Sequence, residues 1–196
     1  PGLSSRKRRF ESGRDCQPGK RMSVETILVF NNLFAILTLI AAAGSIGLLV
    51  YRAVKGPEAV ALLGDKAIWL AFTVALVATV GSLLYSDAFH YVPCRLCWFQ
   101  RIAMYPLTIV LLVGAIRREA VVKFYALPIA LIGLAVSIYH NFVQFFPSLE
   151  GGSCDPAVPC SARSIEMFGF MDLPFMAGIG FIVIAVLLAF YTKASE

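Results

Sequence analysis

Residues Pro93–Pro106 read PCRLCWFQRIAMYP. Two cysteines stand two residues apart, an arginine follows within one helical turn, and the chain then enters an apolar run. A Cys-x-x-Cys pair at the mouth of a membrane helix is an unusual combination, and the rest of the chain is read outward from it. A helix needs about 20 predominantly apolar residues to cross a hydrocarbon core. Five runs approach or exceed that length: Ile27–Val50, Ala67–Tyr85, Trp98–Ile116, Val121–Phe146 and Leu173–Tyr191. None alternates as barrel strands do, so helices are expected to satisfy the backbone. Pro106, Pro128 and Pro174 fall in or at the ends of these runs, where membrane helices tolerate them. The expected fold is an all-α integral membrane protein. A four-helix transmembrane bundle occupies residues 67–191, an additional N-terminal hydrophobic helix residues 27–50, and a basic tail residues 1–26.

Composition agrees. Of 196 residues, 59% are hydrophobic and 15% charged, against about 45–50% and 25% in soluble domains. The net charge of +5 does not point to nucleic acid, because seven of the seventeen Lys and Arg lie in the first 21 residues. The piece Ser164–Met171 (SIEMFGFM) is read either as an interfacial segment anchored by Phe168, Phe170 and Met171, or as an apolar loop.

Charge also orients the chain. The short connection holding Arg117, Arg118, Glu119 and Lys123 carries net +2 and is expected to be cytoplasmic. The longer Pro147–Asp172 connection is acidic and is expected outside. Strict alternation puts Ser86–Cys97 outside as well, so Cys94/Cys97 and Cys154/Cys160 share the external, oxidising face. The same alternation places the basic N-terminal tail on the wrong side. Met22 as the natural start resolves this, leaving residues 1–21 non-native. The rival is that Ile27–Val50 does not fully span, and Cys16 in the tail receives no role.

Four cysteines in two pairs admit three readings: two structural disulfides, a structural zinc site of four thiolates, or a redox relay. For the relay, Cys97 directly precedes the Trp98 helix, whose unpaired N–H groups and dipole favour a thiolate. Arg101 lies one turn on, though an arginine at that depth often only snorkels to the interface. His140 sits at a similar depth near the outer end of Val121–Phe146. A cation and an imidazole beside a thiolate suit an acceptor whose carbonyl oxygens gain negative charge on reduction, as a membrane quinone's do.

CRLCWFQRIAMYPL (Cys94–Leu107), SIYHNFVQ (Ser137–Gln144), CDPAVPC (Cys154–Cys160) and FGFMDLPFMA (Phe168–Ala177) together resemble the disulfide bond formation protein B family, especially its shorter BdbC-like branch. The resemblance covers about residues 67 to 191. It implies a thiol:quinone oxidoreductase in the bacterial cytoplasmic membrane. Such an enzyme reoxidises a soluble thioredoxin-fold (DsbA-like) thiol oxidase and passes the electrons to ubiquinone or menaquinone. Carried over by residue, Cys94 and Cys97 match the quinone-proximal pair, and Cys154 and Cys160 the pair that meets the partner. Arg101 and His140 match residues near the quinone. The implied relay starts with partner attack at Cys154. Released Cys160 then attacks Cys94, and Cys97 leaves as the thiolate that feeds the acceptor. No metal is implied. A vitamin-K-epoxide-reductase-like protein would carry its loop pair before the membrane pair, the reverse of the order here. A structural membrane protein with static disulfides is the non-enzyme alternative.

Overall fold

A computed structural model describes residues 24–150, 154–155, 157–163 and 166–191. The question of Met22 and the basic tail lies outside them, as does Cys16. Five helices follow: α1 Val24–Lys55, α2 Lys66–Leu83, α3 Arg95–Arg117, α4 Val122–Phe145 and α5 Leu173–Phe190. All five are long and apolar enough to cross a membrane. Among the described residues there is no strand beyond isolated bridges. The chain is therefore an all-α membrane protein, with α1 added to a bundle of α2 to α5.

The bundle is sewn together by small residues. Ala67, Ala71 and Ala75 form one buried face of α2, and Ala126, Ala130 and Gly133 one of α4. In lipid, where apolar burial drives little, such stripes let helix backbones approach and gain dispersion contacts. Gly133 is the extreme case: a Cβ there would run into the Phe181 ring, which is fully buried between α4 and α5.

Helix α1 is one unbroken helix of 32 residues, about 48 Å long. That is long enough to span. Most of its surface faces outward, and its buried residues are Asn31, Ala35 and Ser45. Asn31 is a docking residue, not a weak point. Its Oδ1 accepts the Tyr85 hydroxyl at 2.7 Å, in a buried bond between α1 and the end of α2. At the other end Arg52 Nη1 donates to the Ala189 carbonyl at 2.9 Å and its guanidinium stacks over Phe190.

Two expectations are corrected. Helix α2 does not end at Tyr85 but runs on into a π turn, Leu84–Ala88, which carries Tyr85 into the core. Helix α3 starts at Arg95, not Trp98, because the Cys94 sulfur accepts the Cys97 N–H at 3.3 Å and caps the helix. The described part of Ser164–Met171 is no interfacial helix. Met167 and Met171 exchange two backbone bonds around a tight turn, with Phe168 and Gly169 in the left-handed region. Met171 is buried rather than an anchor, while Phe168 and Phe170 are exposed.

Gly133→Leu is expected to destabilise the bundle by about 1–3 kcal/mol or more through overpacking. The check is a lowered thermal unfolding midpoint in detergent. An unchanged midpoint would mean that α4 and α5 are not in contact at Gly133.

Candidate functional site

Both cysteine pairs lie at one end of the bundle. Cys94, Leu96, Val143 and Cys160 form a small buried cluster, with Cys97, Cys154 and Val158 packed against it. The Cys-x-x-Cys spacing places Cys94 at the N-cap of α3 and Cys97 on its first turn, so their Sγ atoms stand 2.7 Å apart as a dithiol. Cys154 and Cys160 are joined by a disulfide. Between them the chain turns back on itself: Asp155 Oδ1 accepts the Ala157 N–H at 2.9 Å, and its carbonyl accepts from Val158 at 2.9 Å. This local Asx turn is what Asp after Cys favours.

The loop is tied down on its Cys160 side. Glu150 accepts the Cys160 N–H at 2.6 Å and the Ser161 hydroxyl at 2.7 Å. Those bonds, the Ser161 hydroxyl's first, hold its carboxyl below the usual range. Arg163 stacks on Phe145 and pairs with Glu166. Cys160 is 1% exposed, whereas Cys154 is only half-buried. Gly151, Gly152 and Ser153 lie outside the described residues.

His140 joins the two pairs. The sequence expectation set it beside an electron acceptor; the fold buries it between the cysteines. Its Nε2 lies 3.1 Å from the Cys160 carbonyl and 3.6 Å from Cys94 Sγ, while Nδ1 lies 3.4 Å from Gln100 Nε2. A carbonyl only accepts, so Nε2 carries the proton and Nδ1 accepts from the Gln100 amide. The imidazole thus donates from Nε2 toward both cysteine pairs. The Cys94 thiol is held well below the usual thiol range. Its bond with Cys97 is the largest cause; burial opposes it, and His140 and the Cys97 N–H add to the lowering. A thiolate is therefore favoured at Cys94, chiefly by the Cys97 thiol and only in small part by the helix end, whose help the sequence reading put at Cys97. The first-turn N–H turns back to the capping sulfur.

Arg101 does not snorkel. Its Nε donates to Ser82 Oγ and its Nη2 to the Ser82 carbonyl, both at 2.9 Å, and its guanidinium lies 5.3 Å from the Trp98 ring centre. It bonds a carbonyl near the end of α2, where a cation is favoured. Tyr105 reaches the same Ser82 hydroxyl at 3.3 Å.

A cavity of about 720 Å³ begins at Cys94, Cys97 and His140 and runs down into the bundle. Gln100, Arg101 and Gln144 line its upper end, and Val74, Ala78 and Ile179 are among its apolar walls. Gln144 Oε1 is buried on this cavity without a hydrogen-bond partner in the fold. An orphaned polar atom beside a cation and an imidazole, above an apolar well, fits a quinone's polar ring and apolar remainder. The residues present thus suit the acceptor expected from the sequence. With Cys154 and Cys160 bonded to each other, the four-thiolate zinc alternative finds only Cys94 and Cys97 as thiols among the described residues. Gln100, Gln144 and Glu150 were not singled out from the sequence. The first two carried a signal, since polar side chains inside apolar spans are costly and tend to be functional.

Comparison with known proteins agrees with this geometry. The family model described as "Disulfide bond formation protein DsbB" matches residues 65–191. The "Probable disulfide formation protein" of Oceanobacillus iheyensis is 42% identical over 125 residues, 63% of this chain and 86% of that protein. "Disulfide bond formation protein C" of Bacillus subtilis is 42% identical over 120 residues, 61% of this chain and 87% of that one. The "Probable disulfide formation protein C" of Halalkalibacterium halodurans is 42% identical over 121 residues, covering 60% and 85%. No solved structure gives a significant match. A multi-pass helical bundle with two cysteine pairs at one end, matched over α2 to α5, belongs to the DsbB family of membrane proteins that form disulfide bonds.

Proposed function

We propose that this chain is a thiol:quinone oxidoreductase. It takes electrons from a soluble thioredoxin-fold, DsbA-like thiol oxidase and passes them through its two cysteine pairs to ubiquinone or menaquinone, so that exported proteins gain disulfides. One observation carries the reading: His140 is bonded to one cysteine pair and in contact with the other, at the head of a cavity that leads into the apolar bundle.

The sidedness follows from charge. The end away from the cysteines carries Arg52, Lys55, Lys66, Arg117, Arg118 and Lys123 against Glu58, Asp65 and Glu119. The cysteine end carries Glu25, Asp87, Glu150, Asp155, Glu166 and Asp172 against Arg95 and Arg163. The basic end belongs in the cytoplasm. Both pairs then face the periplasmic or external side of the bacterial cytoplasmic membrane.

The exchange steps balance as follows. A partner thiolate attacks Cys154, the more accessible sulfur of the loop pair, and the Cys154–Cys160 bond breaks to release Cys160 as thiolate. Cys160 attacks Cys94 of an oxidised Cys94–Cys97 pair, and Cys97 leaves as thiolate. The partner's second thiol then displaces Cys154 and completes the partner disulfide. Cys154 returns to Cys160, re-forming the loop bond and releasing Cys94 as a thiolate. His140 Nε2–H and the Cys97 N–H stabilise that leaving sulfur. The loop is then oxidised and the Cys94/Cys97 pair reduced, carrying two electrons. Bound in the cavity, a quinone supplies the two-electron, two-proton acceptor that restores the pair. Arg101, Gln100 and Gln144 hold and orient its polar end, and Cys97 is the sulfur assigned to electron exit. The apolar walls keep bulk water from the reacting sulfurs.

Two outcomes test the relay. With a reduced partner that keeps only its attacking thiol, the intact Cys154–Cys160 loop is expected to be trapped as a mixed disulfide at Cys154, read on non-reducing gels, and with the full partner Cys97→Ser is expected to stop quinone reduction, read by absorbance. Quinone reduction at the wild-type rate in Cys97→Ser removes the assigned exit, and a partner adduct at Cys94 reverses the two pairs. A third outcome concerns pH. In a reduced Cys154→Ser, Cys160→Ser background, ultraviolet thiolate absorbance should persist as pH falls below the usual thiol value of about 8.5, because the Cys94 pKa is depressed. His140→Ala should move that midpoint up. A midpoint that does not respond removes His140 from thiolate stabilisation.

A further inference from the structure

The cavity is much larger than a quinone ring needs, and its far wall is a helix that the matched family region lacks. The family match begins at residue 65, after α1. In the Bacillus subtilis relative the aligned 120 residues are 87% of the protein, so the small remainder is too short for a 32-residue helix. Helix α1 is therefore an addition to the bundle those relatives share with this chain. It is fixed at both ends, by Asn31 on Tyr85 and by Arg52 on Ala189. Phe34 packs onto Gly81, where a Cβ would stand 2.8 Å from the ring. Below that contact Leu37, Thr38, Ile40 and Ala41 line the cavity opposite α2 and α5. Thr38 turns its hydroxyl back to the Phe34 carbonyl at 2.8 Å, so it shows the cavity a satisfied, weakly polar side chain.

From Ser82 beside Arg101 to Thr73, the α2 wall descends roughly nine residues, about 14 Å. Below Ser82 the groove's polar side chains are Thr38 and Thr73, and each turns its hydroxyl back to a carbonyl of its own helix. Its lower walls, among them Leu37, Ile40, Ala41, Val74, Val77 and Ile179, are apolar. Ile40 and Val77 are also substantially exposed on the lipid-facing surface, so the groove opens sideways to the bilayer.

We infer that α1 is the side wall of a groove that takes the isoprenoid tail of the quinone whose ring sits beside Arg101 and His140. The assignment rests on the thiol:quinone reading and adds to it that α1 sets tail affinity and the lateral path of entry. The groove is continuous with the ring end, runs down from it and is apolar apart from two threonines whose hydroxyls are already satisfied. A second, unrelated ligand would need its own polar anchor, and the lower groove offers none. Leaving lipid for the groove gains the tail no hydrophobic transfer energy, so close van der Waals contact with the walls is what supports its binding there.

The test uses the full-length protein in detergent, a reduced thioredoxin-fold partner, and two quinones: one with a long isoprenoid tail, one a bare ring. Ala41→Trp, which fills the groove far from the cysteines, is expected to raise KM for the long-tailed quinone about tenfold. KM for the bare ring and the rate of thiol exchange with the partner should stay unchanged. An equal effect on both quinones, or on neither, overturns the inference. If the unmodified protein reduces neither quinone, the thiol:quinone reading itself falls and the tail groove with it. A second readout needs no variant and no turnover. A quinone with a photoreactive group at the tail terminus should label the Phe34–Ala41 segment, and unlabelled long-tailed quinone should suppress that labelling. Labelling confined to other segments, or suppressed equally well by phospholipid, overturns it.

Discussion

The site depends on one buried hydrogen-bond donor. His140 Nε2–H is shared between the Cys160 carbonyl and the Cys94 sulfur. An imidazole N–H at 1% exposure is costly to leave unpaired, so its partners are held in place as firmly as it is. Gln100 fixes the tautomer from one side, and Glu150 fixes the Cys160 backbone from the other. The disulfide loop is thereby held against the mouth of α3 at its Cys160 end. Cys154, the other end, stays accessible.

Below that junction the molecule changes solvent. The cluster is polar, loop-bound and near water; a few residues deeper the walls are Val, Ala, Ile and Phe. Thiolate exchange needs charge and access, whereas a lipid-soluble acceptor needs an apolar well. The cap of α3 lies where the two meet. Its first-turn N–H supports a thiolate at Cys94, and three residues on, Cys97 already belongs to the cavity wall. Arg101 extends the boundary by bonding to the end of α2, which keeps a cation within the span without leaving it unpaired.

Helix α1 shows how an added element can join a bundle without disturbing its core. Its cross-helix side-chain hydrogen bonds are directional, one near the cysteine end and one from an arginine at the other. Ala41 and Leu48 pack against the core between them. Where α1 stands off from α2 it bounds the cavity instead of filling it.

Much of this was legible in the chain. Hydropathy and length mark five spans, because in lipid the backbone has no alternative to helix or barrel. The order and spacing of CRLC, SIYH and CDPAVPC point to the family and to the four cysteines, since short-range spacing along a helix or turn is local chemistry. Other features were decided only by tertiary structure. The start of α3 at Arg95 turns on a sulfur accepting an N–H, which composition cannot weigh. His140's place between the pairs, Gln144's orphaned oxygen and Glu150's grip on Cys160 need α3, α4 and the loop brought together across sequence separations of 10 to 46 residues. Asn31 lies buried in an apolar helix with Tyr85 opposite it. A polar residue in a membrane helix announces a partner, and only the fold says which partner it is.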